Sequence, residues 1–301
     1  MVGAVLGQMG LKRKSGLTMP TLIIAANIPD IDATCTIWGT LSLEMRRGLT
    51  HGPIAMLLLP LLLTGAMIAF DRWRRRSSDA YVPVSPGWLL LLAYVGTLSH
   101  PAMDWLNTYG IRLLEPFSHR WFYGDTLFII DIWLWTMLIG GFILSRRREK
   151  RGEPGWNKPA IVTFVGACGY IFANGLITGH AERETARALR TEMKIVPSLV
   201  VASPVPVAFW RRTMLWRDRH RHGEASYGLG QGVTVDRASR PNGMGDPNIA
   251  KLRSADPNVR AFLFWSRMPV ARVENHMLVL TDQRFGNSPV ASNFTIKTPL
   301  P

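Results

Sequence analysis

His100 and Asp104 stand four residues apart in the run Leu98-Ser99-His100-Pro101-Ala102-Met103-Asp104-Trp105, in a stretch that is otherwise mostly apolar. On a helix that spacing sets both side chains on one face, one turn apart. An imidazole and a carboxylate so placed can chelate one divalent metal, as two His at this spacing do in helical zinc sites. Both groups are costly in an apolar helix unless they are paired or metal-bound. A His–Asp hydrogen bond that fixes a helix packing is the plainer alternative, and the pair alone does not decide. Asn27-Ile28-Pro29-Asp30-Ile31-Asp32 adds two carboxylates on one side of an extended segment, because alternate residues share a face. Such a pair can bridge two metals or divide into ligand and base; a cap or turn after Pro29 is the alternative. In Arg46-Arg47-Gly48-Leu49-Thr50-His51 a guanidinium lies close to an imidazole. Arg47 can hold a phosphate or neutralise a carboxylate, or simply snorkel at an interface.

The elements that must position these groups are legible from apolar runs and charge. The net charge is +14, from 35 Lys and Arg against 21 Asp and Glu. In a soluble protein this would point to nucleic acid. Here much of it falls in blocks beside apolar runs: Lys12-Arg13-Lys14, Arg72 with Arg74-Arg75-Arg76, and Arg146-Arg147-Arg148 with Lys150-Arg151. Loops held on the cytoplasmic side look like this, so the expected partner is the lipid bilayer and no nucleic acid. Cys35 and Cys168 supply neither a disulfide framework nor a cysteine metal motif.

The apolar runs predict a mainly α membrane domain, with about four to five membrane helices, over residues 1–182. A small β-rich extracytoplasmic domain is expected over 183–301. Residues 17–28 are short for a span of about 20 residues and predict a short or re-entrant helix. Residues 52–70 predict a clear span, with Pro60 inside it; 88–106, 127–144 and 161–177 predict three more. With the arginine blocks inside, Asp30, Asp32, His51, His100, Asp104, His119, Asp125, Asp131 and His180 all fall towards the outer side. That agreement, reached from Lys and Arg alone, is the strongest argument in the sequence for a site. Residues 181–192 predict a polar helix. Strand character follows at 195–201, 205–210, 213–216, 259–265, 277–281 and, more weakly, 293–297, with a long loop over 231–258. His220 and His222 lie among arginines and read as surface. No internal repeat, GxGxxG or P-loop pattern is present.

Taken in order, several motifs together resemble a known family. They are Pro29-Asp30-Ile31-Asp32, Arg47-Gly48-Leu49-Thr50-His51, Leu98-Ser99-His100-Pro101-Ala102-Met103-Asp104, and Pro116-Phe117-Ser118-His119-Arg120 with Gly124-Asp125 and Asp131. The family is the bacterial YdjM-type inner-membrane proteins, regarded as membrane-bound metal-dependent hydrolases. The resemblance covers about residues 1–180, and residues 264–269 and 281–285 look like the tail of such proteins. The family is similar, more distantly, to zinc-dependent phospholipase C and nuclease P1 types, all-helical phosphoester hydrolases with His/Asp zinc clusters. The resemblance therefore implies a divalent metal, zinc, and a phosphoester or lipid-like substrate at the outer face of the inner membrane. With it added, the expected metal ligands are Asp30, His51, His100, Asp104 and Asp125. Asp32 is expected to take the proton from a metal-bound water, and Arg47 to stabilise developing negative charge. Asp131 is expected to orient a His from behind, with His119 and His180 as further candidates. Family members usually open with a Thr-His pair before a small-residue helix. Met1-Val2-Gly3-Ala4 starts past that point, so a start assigned a few residues late is expected.

Two other classes fit part of the sequence. A non-catalytic membrane protein with a degenerate site would use its β domain to bind a partner; deleting residues 190–301 would then matter more than His100→Ala. An ion-coupled transporter would relay protons through Asp131, Asp104 and His100, although no inverted repeat supports it.

Overall fold

The computed structural model describes residues 1–75, 82–286 and 291–300; Arg76 of the second basic block lies outside them. The chain divides into two compact units, Met1–Asp32 with Arg47–Ala173, and Ala33–Arg46 with Asn174–Pro301. The first is helical, and the second carries antiparallel sheets.

In the first unit, α1 (Val2–Gln8) and α2 (Thr18–Ala25) are short. A 3-10 stretch, Ile28–Leu41, interrupted at Trp38 and Gly39, leads on from α2; its residues from Ala33 on, and α3 (Ser42–Met45), belong to the second unit. α4 (Pro53–Phe70) and α5 (Pro86–Trp105) each begin with Pro in the first turn, where its missing N–H removes no helix bond. α6 (Ile132–Lys150) starts at Asp131, whose Oδ1 accepts the Leu134 N–H at 2.9 Å. α7 (Lys158–Glu192) runs 35 residues and absorbs the separate polar helix expected at 181–192. The boundary expected after residue 182 falls inside it.

Buried positions follow the helical period. On α6 they are Leu134, Leu138, Gly141 and Ser145, spaced four, three and four as one face requires. On α5 they are Leu89, Leu92, Ala93, Gly96, Thr97 and Pro101. That stripe, extended by one turn and then another, arrives at His100 and Asp104. α2 lies very close to α5 because Gly96 has no side chain: a Cβ there would stand 2.6 Å from Ala25 Cβ. Gly3 does the same for α1, where a Cβ would meet the Leu22 carbonyl oxygen at 2.2 Å.

Two helices among the described residues are long and apolar enough to cross a membrane, Pro53–Trp73 and Lys158–Glu192. Four to five were expected. α5 has 20 residues and α6 has 19, but their ends are spent on other groups. The last turns of α5 carry Ser99, His100 and Asp104, and α6 closes on Arg146-Arg147-Arg148-Glu149-Lys150.

The second unit holds a five-stranded antiparallel sheet in the order β1 (Leu199–Pro204), β2 (Arg211–Arg217), β3 (Arg221–Gly228), β4 (Gly232–Val235). The fifth strand, β5 (Arg240–Pro241), also pairs with β3. Ile177 and Ala181, on the C-terminal part of α7, pack against Ala202, Met214, Ala225 and Tyr227 of this sheet. Then come α8 (Pro247–Ala255), α9 (Pro257–Trp265) and a three-stranded sheet, β6 (Pro269–Glu274), β7 (Met277–Asp282) and β8 (Thr295–Pro299).

Three expectations for this half are corrected. Residues 259–265 are helix, not strand, because Asp256 caps α9 by accepting the Asn258 N–H and Pro257 opens its first turn. The long loop expected over 231–258 contains β4, β5 and α8; α8 has the same Asp-Pro start at Asp246 and Pro247. Residues 205–210 form no strand, and β3, which was not anticipated, completes the sheet.

Candidate metal centre

Asp30, His51, His100 and Asp104 each bring one ligand atom to a common point, and these atoms all lie within 4.8 Å of one another. All four belong to the first unit. Donors about 2 Å from one ion sit roughly 3–4 Å apart, so the set is close to a coordination shell before any ion is added.

Three of the four side chains are aimed by a partner behind them. The Nδ1 of His100 is 2.9 Å from the Ala26 carbonyl oxygen. A carbonyl only accepts, so Nδ1 carries the hydrogen and the Nε2 lone pair faces the centre. The close approach of α2 at Gly96 puts that carbonyl within reach. His51 is buried at the end of a 3-10 turn, Leu49–His51. Its Nδ1 lies 2.9 Å from Thr50 Oγ1 and 3.4 Å from Asp32 Oδ2. Arg47 Nη2 stands 3.1 Å from Asp104 Oδ1, which leaves Oδ2 towards the imidazoles.

Arg47 is itself held from all sides. Its backbone is left-handed, φ +51, a strained state for a bulky residue. Its N–H donates to Asp32 Oδ2 at 2.7 Å, and its carbonyl accepts the Arg112 N–H at 2.9 Å. The guanidinium donates to Asn107 Oδ1 at 2.9 Å and lies over the Tyr109 ring, 4.8 Å from its centre. Neighbouring glycines allow the loop after α5 to close on this segment: a Cβ on Gly52 would stand 1.9 Å from the Glu115 carbonyl oxygen.

The facing atoms do not satisfy one another. His51 Nε2 lies 3.3 Å and His100 Nε2 lies 3.5 Å from Asp104 Oδ2. None of these three buried atoms has a hydrogen-bond partner among the described residues. A buried polar atom without a partner is expensive, and three that converge are what a cation between them would satisfy. Two imidazoles with two carboxylates form a donor set that suits zinc. The residues therefore fit a divalent metal.

With no ion at the centre, its carboxylates act on His51 instead. Burial works against its charged form, but the Asp104 and Asp32 carboxylates outweigh burial, and the pKa stands above the ordinary histidine value. Asp32 mirrors it. Burial pushes its pKa up, but His51, the Thr50 hydroxyl and the Arg47 N–H outweigh that and lower it.

The other expected site residues lie elsewhere. Asp32 is behind His51, its Oδ2 accepting from Arg47 N–H and Thr50 Oγ1. Asp131 was expected behind a histidine; its partners are the Leu134 N–H that it caps and the Tyr170 hydroxyl, which it accepts at 3.0 Å. Asp125 is buried at φ +49, outside the four-residue group. His119 is largely exposed and meets Glu115 Oε2 at 2.9 Å, an oxygen shared with Arg112 Nη1 at 3.0 Å. His180 belongs to the second unit, its ring edge-on to Tyr227. Asn107, Tyr109 and the Ala26 carbonyl were not anticipated; only the spacing from His100 back to a close helix would have pointed to the last.

The family model of the YdjM inner membrane protein matches residues 1–181. The chain belongs to the YdjM inner membrane protein family. The match spans all four residues of the candidate centre. No curated protein and no solved structure matches the chain.

Proposed function

We propose that this YdjM-family chain is a membrane-bound metal-dependent hydrolase acting on a phosphoester or lipid-like substrate. In this reading it is a multi-pass protein, with the centre at the outer face of the inner membrane and the C-terminal residues extracytoplasmic. The observation that carries the reading is the convergence of three buried donor atoms without hydrogen-bond partners among the described residues. A bound divalent ion, zinc by the donor set, supplies Lewis acidity and a water of lowered pKa. His51, His100 and Asp104 would hold it; Asp30, with a side chain 48% exposed, is the carboxylate of the group open to solvent and would take up a proton. Asp32, already engaged behind His51, orients that imidazole instead of acting as the base. Arg47 lines the adjoining cavity and faces negative charge that develops on the substrate. In the net reaction a P–O ester bond breaks, the water oxygen bonds to phosphorus, and the leaving alcohol gains the proton.

Zinc counted per chain by plasma mass spectrometry tests this, alongside hydrolysis of bis-p-nitrophenyl phosphate. The expected result is about one or two ions per chain, lost with activity in His100→Ala and Asp104→Ala. Metal content that is nil in the parent, or unchanged in the variants, overturns the reading.

A further inference from the structure

A cavity of about 200 Å³ adjoins the centre, and its lining includes two unlike sets of residues. One is polar, with Arg47, His100, Asp104 and Asn107. The other is apolar, with Met103, Ile129, Leu134, Trp135 and Leu138. Small-molecule sites usually run about 300–1,000 Å³. This cavity is smaller, and takes a scissile end with a short length of chain, not a whole two-chain lipid.

The apolar set has buried and exposed members. Leu134 and Leu138 are 5% exposed, while Ile129 is 60% and Trp135 44% exposed. The exposed apolar surface continues over Ile130, Ile132 and Trp133. On a membrane protein, such a surface with two tryptophans suits the boundary of hydrocarbon and headgroups. A site for a water-soluble phosphoester would have a polar rim. Asp131 also lines the cavity, but both its oxygens are engaged by Leu134 N–H and the Tyr170 hydroxyl.

We infer that the substrate is a membrane amphiphile that enters sideways over Ile129 and Trp135. It lays the start of one chain on Leu134 and Leu138, with its ester at His100 and Asp104. This rests on the hydrolytic reading of the centre; what it adds is the direction of entry and the residues that select for a chain.

The test uses the full zinc-loaded chain in vesicles of phosphatidylethanolamine and phosphatidylglycerol. A trace of phosphatidylglycerol carries a diazirine close to the ester on one acyl chain. After irradiation, adducts are mapped by mass spectrometry and zinc is counted on the same sample. Adducts are expected at Leu134 and Leu138, which the bilayer alone does not reach. Excess monododecyl phosphate should remove them, as should either filling substitution, Leu138→Trp or Leu134→Phe. Adducts at exposed Ile132 and Trp133, and the zinc count, should persist in all three cases, which also reports that the unit is folded. Adducts confined to exposed side chains, or cavity adducts that survive both fillings, overturn the inference. Cavity adducts without zinc remove the hydrolytic reading and leave the chain seat; zinc without cavity adducts removes the seat alone.

Discussion

Asp104 and Asp282 are both carboxylates held by an arginine, yet their oxygens end differently. Around Asp282, Oδ1 accepts from the Arg284 N–H and Nε, each at 2.9 Å. Its Oδ2 accepts from Arg284 Nη2 at 2.8 Å, Ser266 Oγ at 2.5 Å and the Met268 N–H at 3.3 Å. The Asp104 Oδ1 meets Arg47, but its Oδ2 faces two imidazole nitrogens that are likewise without a hydrogen-bond partner among the described residues. A buried charge satisfied by its own chain is architecture. A buried charge turned towards other unsatisfied atoms is one that a bound cation would satisfy.

Removing one partner from each cluster is the harshest way to break that comparison. Asp104→Ala should take zinc from its parent level to near none. Asp282→Ala should leave the zinc count alone but strand Arg284 in the core, at a cost of about 3–5 kcal/mol. Hydrogen exchange by mass spectrometry then shows lost protection over 269–285 only. Equal zinc loss in both variants would erase the distinction between the clusters.

Orientation makes a smaller, sharper test. Asp32→Asn and Gly96→Val each keep all four residues of the candidate centre. The first weakens the hold on His51. The second forces α2 off α5 and draws the Ala26 carbonyl away from His100. Losing a partner behind a ligand typically costs about 10–100-fold in metal affinity, which competition against a chelator measures. Asp131→Asn, whose partners are a helix cap and Tyr170, should change zinc affinity far less. If it matches Asp32→Asn, then Asp131 acts on the centre after all.

The four residues that converge were legible because each stands in a pattern that chemistry restricts: a one-turn His–Asp pair, an Asp after Pro29, a His beside Thr50. The roles of the remaining carboxylates were not, since a helix cap, an orienting partner and a ligand all use the same side chain. Asp131 and Asp32 differ only in what folds against them. In the second unit, the run at 259–265 reads equally well as strand or helix by its apolar content. The deciding signal was the Asp256-Pro257 start, which recurs at Asp246-Pro247. β3 hides for another reason. Its inward residues include Gly223 and Ala225, too small to show an alternating apolar pattern; Gly223 is needed there because a Cβ would stand 2.5 Å from the Trp216 ring.

Acidity separates the two clusters by sign. Burial raises the Asp282 pKa, but Arg284 outweighs it and holds the carboxyl below its usual range. Its contribution to stability is therefore present above the unfolded value of about 3.9, and is lost as pH falls through the lowered folded value. His51, in the metal-free protein, is raised. Its contribution is present below the unfolded value of about 6.5, and is lost as pH rises through the folded one. Exchange rates corrected for intrinsic pH dependence should then show residues 47–51 loosening on the alkaline side and 278–284 on the acid side. Zinc needs the neutral imidazole, so loading at a pH where His51 is still charged should expel its proton and cancel the alkaline loosening. Calorimetry in buffers of different ionisation enthalpy counts that proton. Zinc uptake without proton release would mean that His51 was neutral beforehand, and the charge contrast between the two clusters would be lost.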